Sequence, residues 1–485
     1  MNGQFDPGLL LRRRFLQQSA CGLGMMALGD LLSKDGLTAE PALPTSNTHP
    51  MAPKFPHFIG KAKRVIFICM AGGPSHLDLF DPKPVMQEMN GKAVPPSFLE
   101  GLPDKLIQGS ATVFASPRKF TKYGECGMEF SDFVPNLGTC ADDICMVRSM
   151  WTTSPNHDPG QLLLQCGSPQ FGHPAMGSWV TYGLGSESQD LPGFVVLLSN
   201  SGKGVDAGSA LWNNGYLPSH YRGVTFRAEG DPILHLSNPQ GITPVTQRSR
   251  LDAIRDLNQL RHEQTGDPEI LSRIAAYELA YRMQTAAPEL LDFSDETYAT
   301  QEMYGLNAKK TKWFGTNCLL ARRMIERGVR FVQLYHSTWD DHGNLEHYLG
   351  INTGMTDLPA AGLIHDLKQR GLLEDTLVVW GGEFGRTPMN EVRRGVSPGA
   401  LGRDHHPYGF TMLLAGGGIK GGQVVGKTDE IGYHAVEDRV HPHELQATML
   451  HCLGFDHMKL TFKHQGLEAR LTGVEEPHVV QKLLA

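Results

Sequence analysis

Several segments of this sequence combine histidines with acidic residues, the side chains that most often bind transition metals or move protons near pH 7. The chain has 21 histidines among its 485 residues. Carboxylates adjoin them in N-H-D at 156–158, W-D-D-H at 339–342 and D-H-H at 404–406. Imidazole nitrogen and carboxylate oxygen suit zinc, manganese or iron. The pattern predicts a site for one or two metal ions; the alternative is a polar rim of hydrogen-bonded His–Asp pairs.

Short apolar runs separate these segments and are typical of strands buried on both faces of a sheet. They cover 64–70, 144–147, 194–198, 330–335, 376–380 and 410–414. Helical patterns lie between them, for example at 359–370 and 443–453. This alternation predicts an α/β fold with a mostly parallel central sheet covered by helices on both faces. A charged, helical stretch over about 247–330 is expected to form an insertion.

The ends of these strands are where chemistry is expected, because open parallel sheets bind ligands at the carboxyl ends of their strands. The segments near these ends supply Asp78, Thr153, Ser154, His157, Asp340, His342, Glu383, Arg386, Asp404 and His405. Asp158 and Pro159 are suited to the N-cap and first position of a helix. The start of that helix could dock an anion, or the segment could be no more than a well-capped helix.

The N-terminus has the pattern of an export signal. Residues 11–16 read L-R-R-R-F-L, which resembles a twin-arginine signal with Arg12 and Arg13 as the pair, and a modest apolar stretch follows. We expect a signal peptide over 1–42, a linker over 43–60 and an α/β domain over 61–480. The twin-arginine translocase would then be a partner during export, and the protein would be periplasmic or otherwise exported. The alternative is a basic amphipathic helix.

Composition excludes some functional classes. The net charge is −7 and no basic stripe is interleaved with aromatic residues, so nucleic-acid binding is disfavoured. Apart from the signal, no segment reaches 18 apolar residues, and we expect no stable membrane span in the mature chain. The eight cysteines show no C-x-x-C spacing. A disulfide scaffold is therefore not expected, although one or two bridges stay open.

Six motifs together resemble a known family. They are V-I-F-I-C-M-A-G-G-P-S-H-L-D-L-F-D-P-K-P at 65–84, N-H-D-P-G-Q at 156–161, W-D-D-H at 339–342, E-F-G-R-T-P at 383–388, D-H-H at 404–406 and M-L-L-A-G-G-G-I-K-G-G at 412–422. This set closely resembles exported proteins of the domain-of-unknown-function 1501 family, which is grouped with the alkaline-phosphatase-like and sulfatase-like superfamily. The resemblance implies a three-layer α/β/α sandwich and a divalent metal, zinc, manganese or calcium.

The resemblance also implies a ligand set. Asp78 matches the first-strand aspartate of the superfamily, and Asp340 with His342 matches its middle Asp…His pair, with Asp341 and His347 as rivals. Glu383 takes the next acid position, and His405 the last histidine, with His406 as rival. Phe384 stands where the superfamily has a histidine. That departure puts a second ion in doubt, unless Asp404 or His76 replaces the missing ligand.

The nucleophile is the second departure, because the sequence has no C-x-P-S-R or C-x-A-S-R segment of the kind found in sulfatases. Thr153 or Ser154 could serve as a hydroxyl nucleophile, or water activated by a metal could attack directly. His157 would act as an acid, a base or a further ligand. Arg386 would bind an anionic oxygen, the alternative being a salt bridge.

Two functions are consistent with these observations. The first is an exported metal-dependent hydrolase of phosphate or sulfate esters of small molecules or glycans. The second is a non-catalytic protein of the same fold that binds a glycan or an exported partner protein. The ester, the identity of the metal and the oligomeric state are not determined by the sequence.

Overall fold

A computed structural model describes residues 51–98, 112–199, 204–227, 233, 236–391 and 399–485. The predicted signal peptide and the first part of the predicted linker lie outside these residues. In chain order the strands are β1 (Arg64–Met70), β2 (Phe120–Tyr123), β3 (Met128–Ser131), β4 (Ile144–Met150), β5 (Phe194–Leu198), β6 (Val224–Phe226), β7 (Phe331–His336), β8 (Thr376–Gly381), β9 (Gly385–Arg386), β10 (His405–His406), β11 (Phe410–Ala415), β12 (Gln423–Val425), β13 (Lys427–Thr428), β14 (Ala435–Glu437), β15 (Phe462–His464) and β16 (Leu467–Ala469).

Eight of these strands form one central sheet in the order β12-β4-β11-β8-β1-β7-β5-β6. Every pairing in it is parallel except those of β11, which runs antiparallel to both β4 and β8. The start of β11 therefore lies at the same edge of the sheet as the ends of β1, β4, β7 and β8. The remaining strands form four small two-stranded ribbons.

The helices are α1 (His76–Leu79), α2 (Pro84–Met89), α3 (Pro135–Gly138), α4 (His157–Cys166), α5 (Met176–Leu184), α6 (Pro244–Thr265), α7 (Pro268–Leu291), α8 (Tyr298–Met303), α9 (Lys312–Glu326), α10 (Leu345–Gln369) and α11 (Pro442–Cys452). None of the helices in the described part of the chain has the length and apolarity needed to cross a membrane. The seven cysteines of the described residues carry no disulfide bond.

The layers follow from the alternation of side chains along each strand. In β1, Val65, Phe67 and Cys69 face a core that also holds residues of α4, α5 and α11. Ile66 and Ile68 face a second core with residues of α3, α7, α9 and α10. Successive side chains of a strand point to opposite faces, so each apolar strand fills both cores. The predicted fold class, a three-layer α/β/α sandwich with a mostly parallel sheet, is confirmed.

Two local features differ from the sequence-based expectation. The helix expected to begin at Pro159 begins at His157, with Asn156 rather than Asp158 at the N-cap and no side-chain capping bond. In the region predicted as an insertion, α6 packs on α7, whereas α9 packs against β7 and α10 and contributes to the second core. The charge of α9 is misleading, because Arg322 and Arg323 are buried and form ion pairs with Glu296.

Candidate metal centre

Five of the residues singled out in the sequence meet at the edge of the sheet where β4, β7 and β8 end. His157 is the first residue of α4, which follows β4, and Asp340 and His342 follow β7. Asp404 and His405 precede β11 and reach this edge because β11 is antiparallel to its neighbours. The short ribbon of β9 and β10 places His405 opposite Arg386.

Three imidazoles converge on one carboxylate oxygen. The Nε2 atoms of His342 and His405 each lie 2.9 Å from Oδ1 of Asp340, and Nε2 of His157 lies 3.4 Å from it. The Nε2 atoms of His342 and His405 are 3.1 Å apart. Four donor atoms from three distant parts of the chain thus surround one point.

The other ring nitrogen of each histidine faces an oxygen acceptor. Nδ1 of His157 lies 2.8 Å from Oε1 of Glu383, and Nδ1 of His405 lies 3.0 Å from the carbonyl oxygen of Pro155. Nδ1 of His342 contacts Oε2 of Glu391. Such acceptors favour the tautomer with the proton on Nδ1, which leaves the lone pair of each Nε2 directed at the common point.

Glu383 orients His157 from within the protein. Its side chain is fully buried, and the backbone N–H of Gly72 donates to both of its oxygens, at 2.9 and 3.2 Å. Nε2 of Gln161, on α4, donates to Oε1 at 3.1 Å. Gly72 has a φ of +120°, and a Cβ there would lie 2.6 Å from the backbone nitrogen of Asp340. Only glycine permits this close approach of the loops after β1 and β7.

Arg386 holds the loops together and does not face solvent. Its guanidinium is buried, and Nε donates to the carbonyl of Gly73 at 2.9 Å while Nη1 donates to that of Arg403 at 3.1 Å. Nη2 donates to Oδ1 of Asp340 at 2.8 Å and also reaches the carbonyls of Gly72 and Trp339. These contacts correspond to the salt-bridge alternative for Arg386: it fixes Asp340, and its donors are occupied by the protein.

Phe384 forms an apolar wall beside the cluster. The centroid of its ring lies 5.1 Å from that of His157 and 4.6 Å from that of His405. The position that the resemblance assigns to a histidine is therefore filled by a side chain that cannot bind a metal. Oδ1 of Asp404 lies 3.9 Å from Nδ1 of His342.

The hydrogen bonds of the cluster shift the pKa values of its residues when no metal is bound. Burial raises the pKa of Asp340, but hydrogen bonds from His157, His342 and His405 together with the charge of Arg386 hold it well below its usual range. Burial lowers the pKa of His157, yet hydrogen bonds to Asp340 and Glu383 raise it to about 9. The pKa of His342 is also raised, by Asp340 and Glu391 against burial. Without a metal ion, protons on His157 and His342 therefore supply the positive charge next to Asp340.

The residues fit a divalent metal ion. Two groups of donor atoms are close enough to share an ion, His157 with Asp340 and His405, and His342 with Asp404 and His405. Nε2 of His157 is buried and faces Oδ1 of Asp340 at 3.4 Å, as a second ligand atom of the same ion would. Ligands about 2.0–2.1 Å from a tetrahedral zinc ion lie ~3.3 Å apart. The separations of 2.9–3.4 Å described above are close to this value.

Other residues predicted for the site lie elsewhere or make different contacts. Asp78 is buried in an ion pair with Arg403, whose Nε donates to its Oδ2 at 2.8 Å, and it belongs to neither group of donor atoms. Glu383 supports His157 and is in neither group. Ser154 is buried and Thr153 is exposed, and within the described residues no hydrogen bond joins either hydroxyl to the cluster.

The rival ligands of the sequence analysis also have other surroundings. His76 and His406 are buried and contact the carbonyls of Gly432 and Tyr433 through Nε2. His347 is exposed on α10. Asp341 is buried next to Asp340 and is in neither group of donor atoms.

The sequence analysis missed two supporting residues. Glu391 accepts from His342, and Gln161 connects Glu383 to Asp206. Gln161 lies in the N-H-D-P-G-Q motif, one helical turn after His157, so its position on the same face of α4 was a usable signal. Nothing in the sequence around Glu391 indicated its role.

Comparisons with known proteins identify a family but no activity. The family model described as "Protein of unknown function (DUF1501)" matches residues 62–484. No curated protein matches the sequence.

Solved structures with a similar fold include a lipoteichoic acid synthase, an alkaline phosphatase and a sulfatase. The lipoteichoic acid synthase LtaP from Listeria monocytogenes is 9% identical, with a TM-score of 0.39 over 86% of this chain and 75% of that one. The alkaline phosphatase from the Antarctic bacterium TAB5 is 10% identical, with a TM-score of 0.34 over 82% and 99%. The PsFucS1 sulfatase from Pseudoalteromonas sp. is 11% identical, with a TM-score of 0.33 over 81% and 68%. At these identities and TM-scores, the similarity gives no information about the reaction.

Proposed function

We propose that this chain, which belongs to the DUF1501 family, is a metal-dependent hydrolase that cleaves phosphate or sulfate esters of small molecules or glycans. The observation that supports the proposal is the convergence of three Nε2 atoms on Oδ1 of Asp340, with each Nδ1 held by an oxygen acceptor. Oxygen acceptors at Nδ1 commonly orient the histidines of metal sites, whereas a surface His–Asp pair does not require them.

His157, Asp340, His342 and His405 are the proposed ligands, with Asp404 as a further carboxylate at the solvent side. When bound, a divalent ion supplies Lewis acidity that polarises the ester and lowers the pKa of water. Glu383 and Glu391 keep two of the imidazoles in the ligating tautomer, and Arg386 fixes Asp340. Phe384 keeps one side of the site apolar, which strengthens electrostatic interactions there.

Water is the proposed nucleophile, because within the described residues no hydrogen bond joins the hydroxyl of Thr153 or Ser154 to the cluster. The mechanism is then a single displacement at phosphorus or sulfur. A covalent intermediate on a hydroxyl side chain is not expected.

The test compares metal content and turnover in three proteins. We expect purified wild type to hold about one zinc or manganese ion per chain and to hydrolyse aryl phosphate or aryl sulfate. Asp340→Asn should lose most of the metal and at least 100-fold in kcat/KM. His347→Gln, which changes an exposed histidine, should match wild type. Equal metal content and turnover in wild type and Asp340→Asn would contradict the proposal.

A non-catalytic protein that binds a glycan or an exported partner is the second candidate. It is favoured because, within the described residues, no hydrogen bond joins the hydroxyl of Thr153 or Ser154 to the cluster. Metal bound at the same site, with no turnover of either class of ester by the metal-loaded wild type, would support this function over the hydrolase.

Export by the twin-arginine pathway is a separate part of the proposal. It is supported by the L-R-R-R-F-L motif at 11–16. In a bacterial host, wild type should reach the periplasmic fraction, and the double change Arg12→Lys with Arg13→Lys should leave the protein in the cytoplasm. Identical fractionation of the two would contradict export by this route.

A further inference from the structure

A polar groove of about 680 Å³ lies along the margin of the central sheet, beside its edge strand β12. Its lining runs from Asp81 and Lys83 past Gln423–Val425 to the C-terminal segment around Lys482. It shares no residue with the metal centre. The volume is within the range of about 300–1,000 Å³ that small-molecule sites occupy.

The groove is positively charged, although the whole chain carries −7. Five basic residues line it against three acidic ones: Lys83, Arg148, Lys420, Lys427 and Lys482 against Asp81, Glu437 and Asp438. Each acidic residue is already paired with the Nζ atom of a lysine. Asp81 pairs with Lys83 at 3.2 Å, Glu437 with Lys427 at 2.7 Å, and Asp438 with Lys482 at 2.7 Å. The two remaining cations are Arg148 and Lys420.

Arg148 is the unusual residue of the groove. Its side chain is only 16% exposed, and its Nε is buried without a hydrogen-bond partner. The nearest carboxylate oxygen, Oδ1 of Asp81, is 4.0 Å from Nε and already lies 3.2 Å from Nζ of Lys83. The other oxygen of Asp81 accepts from the hydroxyl of Thr428. A buried guanidinium nitrogen without a hydrogen-bonded acceptor is costly, and an oxyanion is the group that the planar fork of an arginine binds best.

The second cation lies at the other end of the groove. Lys420 is exposed and makes no ion pair within the described residues. It precedes Gly422, whose N–H donates to the carbonyl of Ile144, at the start of β4. Arg148 lies four residues further along β4, or about 13 Å. Between them the lining offers hydrogen-bonding side chains such as Gln423, Thr428 and Gln481.

We propose that this groove binds a small, hydroxyl-rich organic molecule that carries a phosphate or sulfate group, with the oxyanion on Arg148. The volume exceeds what an inorganic anion fills, and the polar lining suits hydroxyl groups. The site does not depend on the proposed function, because it shares no residue with the metal centre.

The experiment is isothermal titration of the full-length protein with glucose 6-phosphate, glucose 6-sulfate, glucose, inorganic phosphate and inorganic sulfate. At least one sugar ester should bind wild type with a Kd below about 1 mM and at least tenfold more tightly than glucose or the matching inorganic anion. Arg148→Gln should weaken binding at least tenfold, and Lys420→Gln several-fold. Arg250→Gln, an exposed change on α6, should leave the Kd unchanged.

Two further readouts keep the result unambiguous. Asp340→Asn should retain binding in the groove; loss of binding in that variant would place the ligand at the metal centre and overturn the proposal. Arg148→Gln should unfold at nearly the same temperature as the ligand-free wild type, because Arg148 makes no hydrogen bond to Asp81, which keeps its contacts with Lys83 and Thr428. Failure of both sugar esters to bind, equal binding of inorganic anion and sugar ester, or unchanged affinity in both Arg148→Gln and Lys420→Gln would also overturn it.

Discussion

At the scale of single residues, the role of a side chain depends on contacts that residue type does not reveal. The sequence placed Glu383 at the end of a strand beside other candidate ligands, and that placement holds. Its carboxylate is directed inward by Gly72 and Gln161, so it supports His157 instead of facing the common point. Arg386 is similar: its type indicated an anion site, whereas its donors are occupied by backbone carbonyls and Asp340.

Changing Glu383 to glutamine should weaken metal binding without removing a ligand. Glu383→Gln keeps an oxygen that can accept from Nδ1 of His157 but removes the charge that makes the imidazole a better donor. Loss of such an outer-shell carboxylate typically costs 10–100-fold in metal affinity. We expect that loss in competition with a fluorescent zinc chelator. Glu88→Gln, an exposed change on α2, is the control; equal affinity in the two variants would exclude the supporting role.

Metal affinity should rise with pH, because an ion must displace protons from the imidazoles. Burial lowers the pKa of His157, but hydrogen bonds to Asp340 and Glu383 raise it to about 9, so the metal-free protein carries this proton at pH 7. Below that pKa each displaced proton improves the apparent Kd roughly tenfold per pH unit. Titrations with zinc at pH 6.0, 7.0 and 8.0 should show this trend, and a Kd independent of pH would contradict it.

At the scale of elements, strands were predicted better than helices. The apolar runs at 64–70 and 194–198 match β1 and β5 residue for residue, because strands buried on both faces consist of continuous apolar residues. Helix α10 was expected only from Pro359, a residue typical of helix starts. It begins at Leu345, since buried polar residues in its first half find partners in tertiary contacts: Nδ2 of Asn352 donates to the carbonyl of Thr338.

The ion pair between Asp78 and Arg403 joins two such elements, α1 and the segment before β10. Both side chains are buried, and Nε and Nη2 of Arg403 donate to the two oxygens of Asp78, at 2.8 and 3.3 Å. Asp78→Asn should lower the free energy of unfolding by about 3–5 kcal/mol, because it leaves a buried guanidinium without its counter-charge. Urea unfolding measures this effect.

The same variant separates the structural contact from the ligand role that the resemblance implied for Asp78. In the absence of urea, Asp78→Asn should still bind one metal ion per chain with nearly the affinity of wild type. Glu437→Gln, which removes an exposed pair with Lys427, should leave the stability close to that of wild type. Loss of metal from folded Asp78→Asn would instead make Asp78 a ligand.

At the scale of the whole molecule, the site is assembled from parts of the chain that are far apart in sequence. His157 and His405 are separated by 248 positions, and they meet only because β11 reverses direction between β4 and β8. A sequence pattern can assign each histidine to a strand end, but the order of strands in the sheet depends on which apolar faces pack together. That information lies in the two cores and not in the local motifs.

The many histidines also set how the whole fold responds to acid. Burial lowers the pKa of His76, His336 and His441 to about 4 and that of His406 to about 3. These imidazoles are neutral in the folded protein, whereas the unfolded chain takes up protons near pH 6.5. The unfolded state therefore binds more protons, and stability should fall as the pH drops below about 6.5 and continue to fall to about 4. His157 behaves oppositely: its stabilising effect is complete below pH 6.5 and is lost as the pH rises through about 9.

His336 allows a direct measurement of this effect. It accepts a hydrogen bond from Nε1 of Trp339 at 3.0 Å through Nδ1. Because the pKa of His336 in the folded protein is about 4, lowering the pH from 7.5 to 5 should reduce the free energy of unfolding by about 2 kcal/mol through this residue alone. His336→Asn, whose amide oxygen can still accept from Trp339, should lose about that much of the pH dependence in urea unfolding of the metal-free protein. His347→Gln should keep all of it, because this histidine is exposed in both states. An unchanged difference between pH 7.5 and pH 5 in His336→Asn would mean that this buried histidine does not contribute to acid lability.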